Sequence, residues 1–155
     1  MKYGERIRRS GSRYLALIFR LYVGGLFIYA SMYKINYAAE FAETVASYQL
    51  VPFWAVNVVA LIIPWTELLC GLLLVAGIRT RSAASMIAGM LLLFIMAVTI
   101  NLVRGAPIGC GCFRAVEEPI SWLTVVRDLI WLGMTVCVCR FDSAWQLERR
   151  GIISV

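Results

Sequence analysis

Two cysteines flank one glycine in Ile108-Gly109-Cys110-Gly111-Cys112-Phe113-Arg114, a spacing suited to thiol chemistry. Gly111 can take backbone angles closed to other residues, which lets the two sulfurs approach each other. A disulfide between them closes a ring of roughly eleven atoms, tighter than that of a C-x-x-C pair, and such strain makes the bond more reducible and more oxidising. Arg104 and Arg114 are near in the chain, and a guanidinium close to a sulfur favours the attacking thiolate over the thiol. Two other chemistries fit the same pair. Two thiolates can clip a soft ion such as Cu(I) or Hg(II), with Met32, Met96 or Met134 as further sulfur ligands, or the pair can form a passive structural bridge. Cys137 and Cys139 share the spacing but fall in a helical pattern, where positions i and i+2 point about 200° apart and do not bridge. Cys70 stands alone in an apolar run and reads as a small hydrophobe.

Charges inside apolar runs are the second group with chemical capacity: Arg20, Lys34, Glu67, Arg127 and Asp128. Each unpaired ion in hydrocarbon costs ~2.5–3.5 kcal/mol or more, so such residues are paired or functional. Arg20 lies about two turns from a basic end and is expected to snorkel. Lys34 closes the first run and reads as its interfacial anchor. Glu67 falls near mid-run, one turn after Pro64, whose ring leaves the carbonyl four residues earlier without its helical partner and makes a kinked, locally polar site. Arg127 and Asp128 are adjacent, and neighbouring helix positions do not face each other. An Arg127–Asp128 or Arg127–Glu67 pair is expected, with at least one of the two adjacent residues partnered on another helix. The network reads either as structural ion pairs or as machinery for proton or quinone handling. Trp54, Trp65 and Trp122 then stack on a quinone ring or act as interface anchors.

The elements that must position these groups follow from composition. Of 155 residues, 61% are hydrophobic and 15% charged, with mean hydropathy +0.80, far too apolar for a water-soluble domain. Four apolar runs, at about 14–35, 53–78, 83–103 and 122–140, are long enough to cross ~30 Å of hydrocarbon. The chain therefore reads as all-α: one integral membrane domain over 1–155, built as a four-helix up-down bundle. The first run is longer than a signal-peptide core and lacks a small-residue cleavage site, so it reads as an uncleaved span. Between the first two spans, Phe41, Val45 and Tyr48 form an apolar stripe with Glu40 and Glu43 off it, which predicts a short amphipathic helix on the outer surface. No histidine occurs, which removes imidazole metal ligands, a histidine base and the catalytic triads that need one; no resident metal is expected.

Cation placement sets the orientation. Lys2, Arg6, Arg8, Arg9 and Arg13 precede the first span, Arg79 and Arg81 join the second to the third, and Arg140, Arg149 and Arg150 end or follow the fourth. The other side holds only Lys34, Arg104 and Arg114, together with Glu40, Glu43, Glu117 and Glu118. Both termini are thus expected on the cytoplasmic face of the inner membrane, with the cysteine loop on the periplasmic or exterior side, where disulfides form. Cations at span ends rather than along a soluble face exclude nucleic acid as a partner.

From about Gly25 to Leu132 the chain resembles the DoxX/MauE family of four-span, redox-associated membrane proteins, in its MauE-like branch. The resemblance is carried by "YASMYKI" at 29–35, "FAETVASYQLVP" at 41–52, "PWTELLCG" at 64–71, "RGAPIGCGCF" at 104–113 and "TVVRD" at 124–128. It implies a four-helix bundle beside a thioredoxin-like partner, serving disulfide formation in a periplasmic enzyme such as methylamine dehydrogenase. Carried over by position, Cys110 and Cys112 match the family's dithiol, and Lys34, Glu67, Arg127 and Asp128 its polar intramembrane positions. The chain departs from the pattern in lacking a proline after Lys34-Ile35 and in having Arg114 where a glycine is common.

Together these readings predict a membrane thiol–disulfide oxidoreductase. Cys110 and Cys112 exchange electrons with a thioredoxin-like or periplasmic partner, Lys34, Glu67, Arg127, Asp128 and Arg104 support them, Gly111 and Phe113 shape the loop, and quinone is the candidate cofactor. The alternatives are a non-enzymatic subunit of a larger membrane complex, docking through Gly24, Gly25, Ala30 and Ser31, and a soft-metal binding or transport protein.

Overall fold

The computed structural model describes the backbone of residues 2–105, 108–109 and 120–141, and the side chains of those between 14 and 140. Five helices account for them: α1 Lys2–Asn36, α2 Ala38–Ser47, α3 Val56–Ala76, α4 Thr80–Val103 and α5 Trp122–Phe141, with a 3-10 turn at Phe53–Ala55 leading into α3. There is no strand among the described residues. Among the described residues four helices are long and apolar enough to cross a membrane, at Tyr14–Asn36, Phe53–Ala76, Thr80–Val103 and Trp122–Arg140. The chain is a multi-pass membrane protein. α1 begins at Lys2, earlier than the expected span, and α4 begins at Thr80 rather than Ala83.

The four long helices form a ring in chain order, α1 against α3, α3 against α4, α4 against α5 and α5 back against α1. Inward residues of α1 recur as Ala16, Arg20, Val23, Phe27, Ala30, Ser31 and Lys34, all buried, at the three-to-four-residue period of one helix face. Its opposite face, with Tyr14, Ile18, Tyr22 and Tyr29, is exposed and equally apolar, as a lipid-facing surface requires. α1 and α3 touch backbone to backbone. A Cβ built on Gly71 would lie 2.9 Å from the Gly24 carbonyl oxygen, and one on Gly24 would lie 2.7 Å from Val75 Cγ2. Gly24, Ala30 and Ser31, expected as a docking surface, are thus spent inside the bundle; Gly25 has open space around it.

α3 continues through Pro64, which is fully buried, and Thr66 Oγ1 donates to the Ile62 carbonyl at 2.7 Å. It ends at Gly77 (φ 76°), where the Gly77 and Ile78 amides donate to the carbonyls of Leu74 and Leu73. This is a Schellman closure, which needs a left-handed residue. The turn into α4 is so short that the two helices must run antiparallel. Two apolar clusters fill the bundle. One joins Val23, Phe27, Cys70, Leu74, Ile87, Leu91 and Val138. The other joins Tyr48, Val98, Ile120 and Val125.

Candidate functional site

Lys34 stands two residues before the end of α1, whereas Glu67 stands eleven residues into α3. Their side chains nonetheless meet, with Lys34 Nζ donating to Glu67 Oε1 at 2.6 Å and to Oε2 at 2.8 Å. At 1.5 Å per residue, α1 therefore stops roughly 10 Å short of the start of α3 once the reach of the lysine is allowed for. α2 occupies that missing length and packs chiefly on α3. Its Phe41 and Thr44, and Tyr48 beyond its end, turn inward and are buried, while Glu40 and Glu43 face out. The short amphipathic helix is the roof over a buried ion pair. Phe41 presents its ring 5.1 Å from Lys34 Nζ, a cation–π contact in a desolvated setting.

This arrangement corrects two expectations. Lys34 is not an interfacial anchor but is 8% exposed, and it, rather than Arg127, pairs with Glu67. The reason is the offset just described, because a first span ending level with the start of α3 would have carried Lys34 past Glu67. Arg127 and Asp128 form one of the two pairs expected for them. Arg127 Nε lies 3.4 Å from Asp128 Oδ1 on the same helix. A long guanidinium side chain can curl back to its neighbour where the Cβ directions alone would forbid it. Its Cζ sits 4.7 Å from the Trp131 ring centroid. Asp128 itself is fully buried, and its Oδ2 has no hydrogen-bond partner. Arg20, expected to snorkel, is 3% exposed and turned into the bundle.

Lys34, Glu67 and Asp128 share one cavity of about 390 Å³, whose other walls include Phe27, Thr44, Tyr48, Phe94 and Trp131. The cavity lies where the roof formed by α2 meets α3, α4 and α5. Tyr48 is held there by its backbone, since Asn101 Nδ2 donates to its carbonyl at 3.2 Å. Burial, and after it the nearby Asp128 carboxylate, pushes the Tyr48 phenol far above its ordinary range. It stays protonated and neutral at any physiological pH. Thr44, Tyr48 and Trp131 escaped the sequence reading as polar or ring-bearing wall residues. Trp131 was findable, since it follows Asp128 by three positions and Arg127 by four, on one helix face.

Cys110, Gly111, Cys112, Phe113 and Arg114 lie outside the described residues. What is described is the anchorage of their segment. The Ile120 amide donates to the Ile108 carbonyl at 3.0 Å, so the chain leaves and returns at one place. Ile108 packs against the cluster of Tyr48, Val98, Ile120 and Val125, as Phe94 does, and Tyr48 and Phe94 also wall the cavity. Arg104 caps the C-terminal end of α4 and is exposed. Cys70 is free and buried, and Cys137 and Cys139 are free and half-buried. Met32 and Met96 face outward and Met134 packs on the larger apolar cluster. Among the described residues no cluster of three or more metal-ligating side chains occurs. Trp54, Trp65 and Trp122 are all more than half exposed on the outside of the bundle, as interface anchors are.

Comparison with known proteins agrees with this architecture. The family model for "Methylamine utilisation protein MauE" matches residues 12–141. Relatives bearing the name methylamine utilization protein MauE include one from Paracoccus denitrificans, 35% identical over 121 residues, covering 77% of this chain and 65% of the relative. One from Methylorubrum extorquens is 34% identical over 120 residues, covering 76% and 62%. One from Methylophilus methylotrophus is 34% identical over 142 residues, covering 89% and 72%. The chain thus spans less than two thirds of the length of the first two. No solved structure matches it. A family match over residues 12–141, carried on four apolar helices, makes this chain a member of the MauE family.

Proposed function

We propose that this protein is a thiol–disulfide exchange component of the inner membrane that acts in methylamine utilisation, the process for which its relatives are named. Cys110 and Cys112 are the exchanging pair. One thiolate attacks a partner's disulfide, or a partner's thiolate attacks theirs, through a mixed disulfide that the second cysteine resolves. In each direction one S–S bond breaks, one forms, and two electrons pass between the pairs. The partner is a thioredoxin-like or other disulfide-bearing protein on the periplasmic side. Cation placement supports that side for the loop, because arginines and lysines are concentrated at the opposite ends of the spans.

The observation that carries the reading is the anchorage at Ile108 and Ile120. Ile120 belongs to the apolar cluster around Tyr48 and Ile108 packs against it, so the two described residues that flank the C-G-C pair lie at the end of the bundle where buried charges are gathered under α2. Arg104, exposed at the α4 terminus six residues before Cys110, supplies a cation from the same connection. The test uses the full-length protein in native membranes with Cys70, Cys137 and Cys139 replaced by alanine. Free thiols are mass-tagged across a series of dithiol/disulfide buffers, and metal is measured on the same sample. A reversible, metal-free, two-thiol transition is the expected result. A pair that stays reduced with bound metal, or oxidised in every buffer, overturns it in favour of a metal carrier or a structural subunit respectively.

A further inference from the structure

α1 runs far past the α3–α4 turn at the end of the bundle remote from α2. A Cβ on Gly24 would lie within 3.1 Å of both Gly71 and Val75, and Lys34 meets Glu67, so α1 and α3 are antiparallel. α3 ends at Ala76, which is therefore level with α1 about one turn before Gly24, near Arg20. From there α1 continues back to Lys2, a further ~27 Å at 1.5 Å per residue. Arg79 and Arg81, both exposed, mark the turn as the end of the spans. The headgroup layer beyond the hydrocarbon is only ~5–8 Å deep on each side. Arg9, Arg6 and Lys2 stand ~16, ~21 and ~27 Å beyond the level of Arg20, outside that layer.

Register gives this extension a face. Buried positions of α1 recur at Ala16, Arg20, Val23 and Phe27. The same three-to-four-residue period, carried back from Ala16, falls on Arg13, Arg9, Arg6 and Lys2. Four cations thus share one row, in line with the face that packs inside the bundle. Arg8 falls across the helix from Arg6, about 200° away. Retention of positive charge on this side accounts for the number of these residues but not for their alignment, because a topology signal depends on count and not on face. The sequence presents them as span-end charges; the length of α1 makes them a surface. Nor does the rest of the chain supply enough acid to neutralise the row. Glu5 is the one acid before Tyr14, and in residues 142–155 Asp142 and Glu148 are balanced by Arg149 and Arg150.

We propose that this row is the docking face for an acidic surface of a water-soluble protein, on the side of the membrane opposite the cysteine loop. Charge complementarity sets the partner's sign, and the distance from the headgroups argues against lipid. A single row with Glu5 beside it suits the mixed surface of a protein better than a nucleic acid, whose phosphates are all of one sign and repel that carboxylate. The docking face stands independently of the thiol reading; that its side is cytoplasmic follows from the orientation given above.

The test places the full chain in phosphatidylcholine nanodiscs, with fluorescence anisotropy of a labelled helical peptide as readout. The peptide carries glutamates at the matching four-three-four spacing, and a second of equal composition has them dispersed around the helix. Saturable binding that weakens with added salt is expected, tighter for the matched peptide. Arg6→Gln should weaken it by about threefold or more, Arg6→Gln/Arg13→Gln by about tenfold, and Arg8→Gln by less than about twofold. Arg6→Lys, which keeps the charge, should bind within about twofold of wild type. Glutamine keeps the helix propensity of arginine, and circular dichroism checks that the variants are equally helical. Equal losses in Arg6→Gln and Arg8→Gln, or equal binding of the two peptides, overturn the docking face. Replacing part of the lipid by phosphatidylglycerol should leave binding in place; its loss there gives the row to anionic headgroups and sinks the proposal. A duplex DNA oligonucleotide that displaces the matched peptide at equal concentration does the same in favour of nucleic acid.

Discussion

Lys34 and Glu67 make the interaction on which the roofed end of the bundle depends. Each is at most 8% exposed, so removal of one leaves the other as a buried charge without compensation. Lys34→Met is expected to cost about 3–5 kcal/mol, the range for breaking a buried pair by deleting one partner. Lys34→Met/Glu67→Leu should recover most of that loss, because a well-packed apolar pair removes both desolvation penalties. Reversible unfolding in mixed micelles, run as a double-mutant cycle, measures the coupling. Additive single-variant losses would show that the 2.6 Å contact contributes nothing to stability. Sequence alone marked both residues as needing partners, because ionisable groups in apolar runs are expensive. It left open Arg127–Asp128 and Arg127–Glu67 and did not reach Lys34–Glu67, since the depth of Lys34 depends on where α1 stops relative to α3.

At the scale of helices, the seam between α1 and α3 is set by two glycines. The atom nearest a Cβ on Gly71 is the Gly24 carbonyl oxygen, a backbone atom that cannot swing aside, at 2.9 Å. Gly71→Ala is therefore expected to part the helices and cost about 1–3 kcal/mol, as overpacking does. Gly25→Ala, with nothing within 4 Å of the added atom, should stay within about 0.5 kcal/mol of wild type. Thermal denaturation of the two variants side by side checks this, and equal shifts would remove close backbone approach as the explanation. The α2 stripe of Phe41, Val45 and Tyr48 was readable from periodicity. That it roofs a cavity instead of lying as a plain connector was not, because the space beneath it follows from the offset of α1 along α3.

For the whole molecule, four spans bring the start of α1 and the end of α5 to the same side of the membrane, and the distribution of lysine and arginine predicts that this side is cytoplasmic. Reporter fusions at residue 1 and residue 155 should both report a cytoplasmic location, and a membrane-impermeant thiol reagent should reach Cys110 and Cys112 only from the outside. Reporters on opposite faces, or thiol labelling from the cytoplasm, would invert or break the proposed topology. The helical class and the number of spans were legible in the chain, because hydrocarbon leaves a backbone few ways to satisfy its hydrogen bonds and a run of ~20 apolar residues nearly always becomes a helix. The residues with chemical capacity were legible for a related reason, since Lys34, Glu67 and Asp128 stand out against an apolar background. Their grouping was not. The meeting of Lys34 with Glu67, the unpartnered Oδ2 of Asp128, and the placing of Tyr48 and Trp131 on the walls of the same cavity arise from helix offset and splay. Those are fixed by close packing at Gly24 and Gly71 and by the length of each helix against its neighbours, relations between segments distant in the chain that no local pattern encodes.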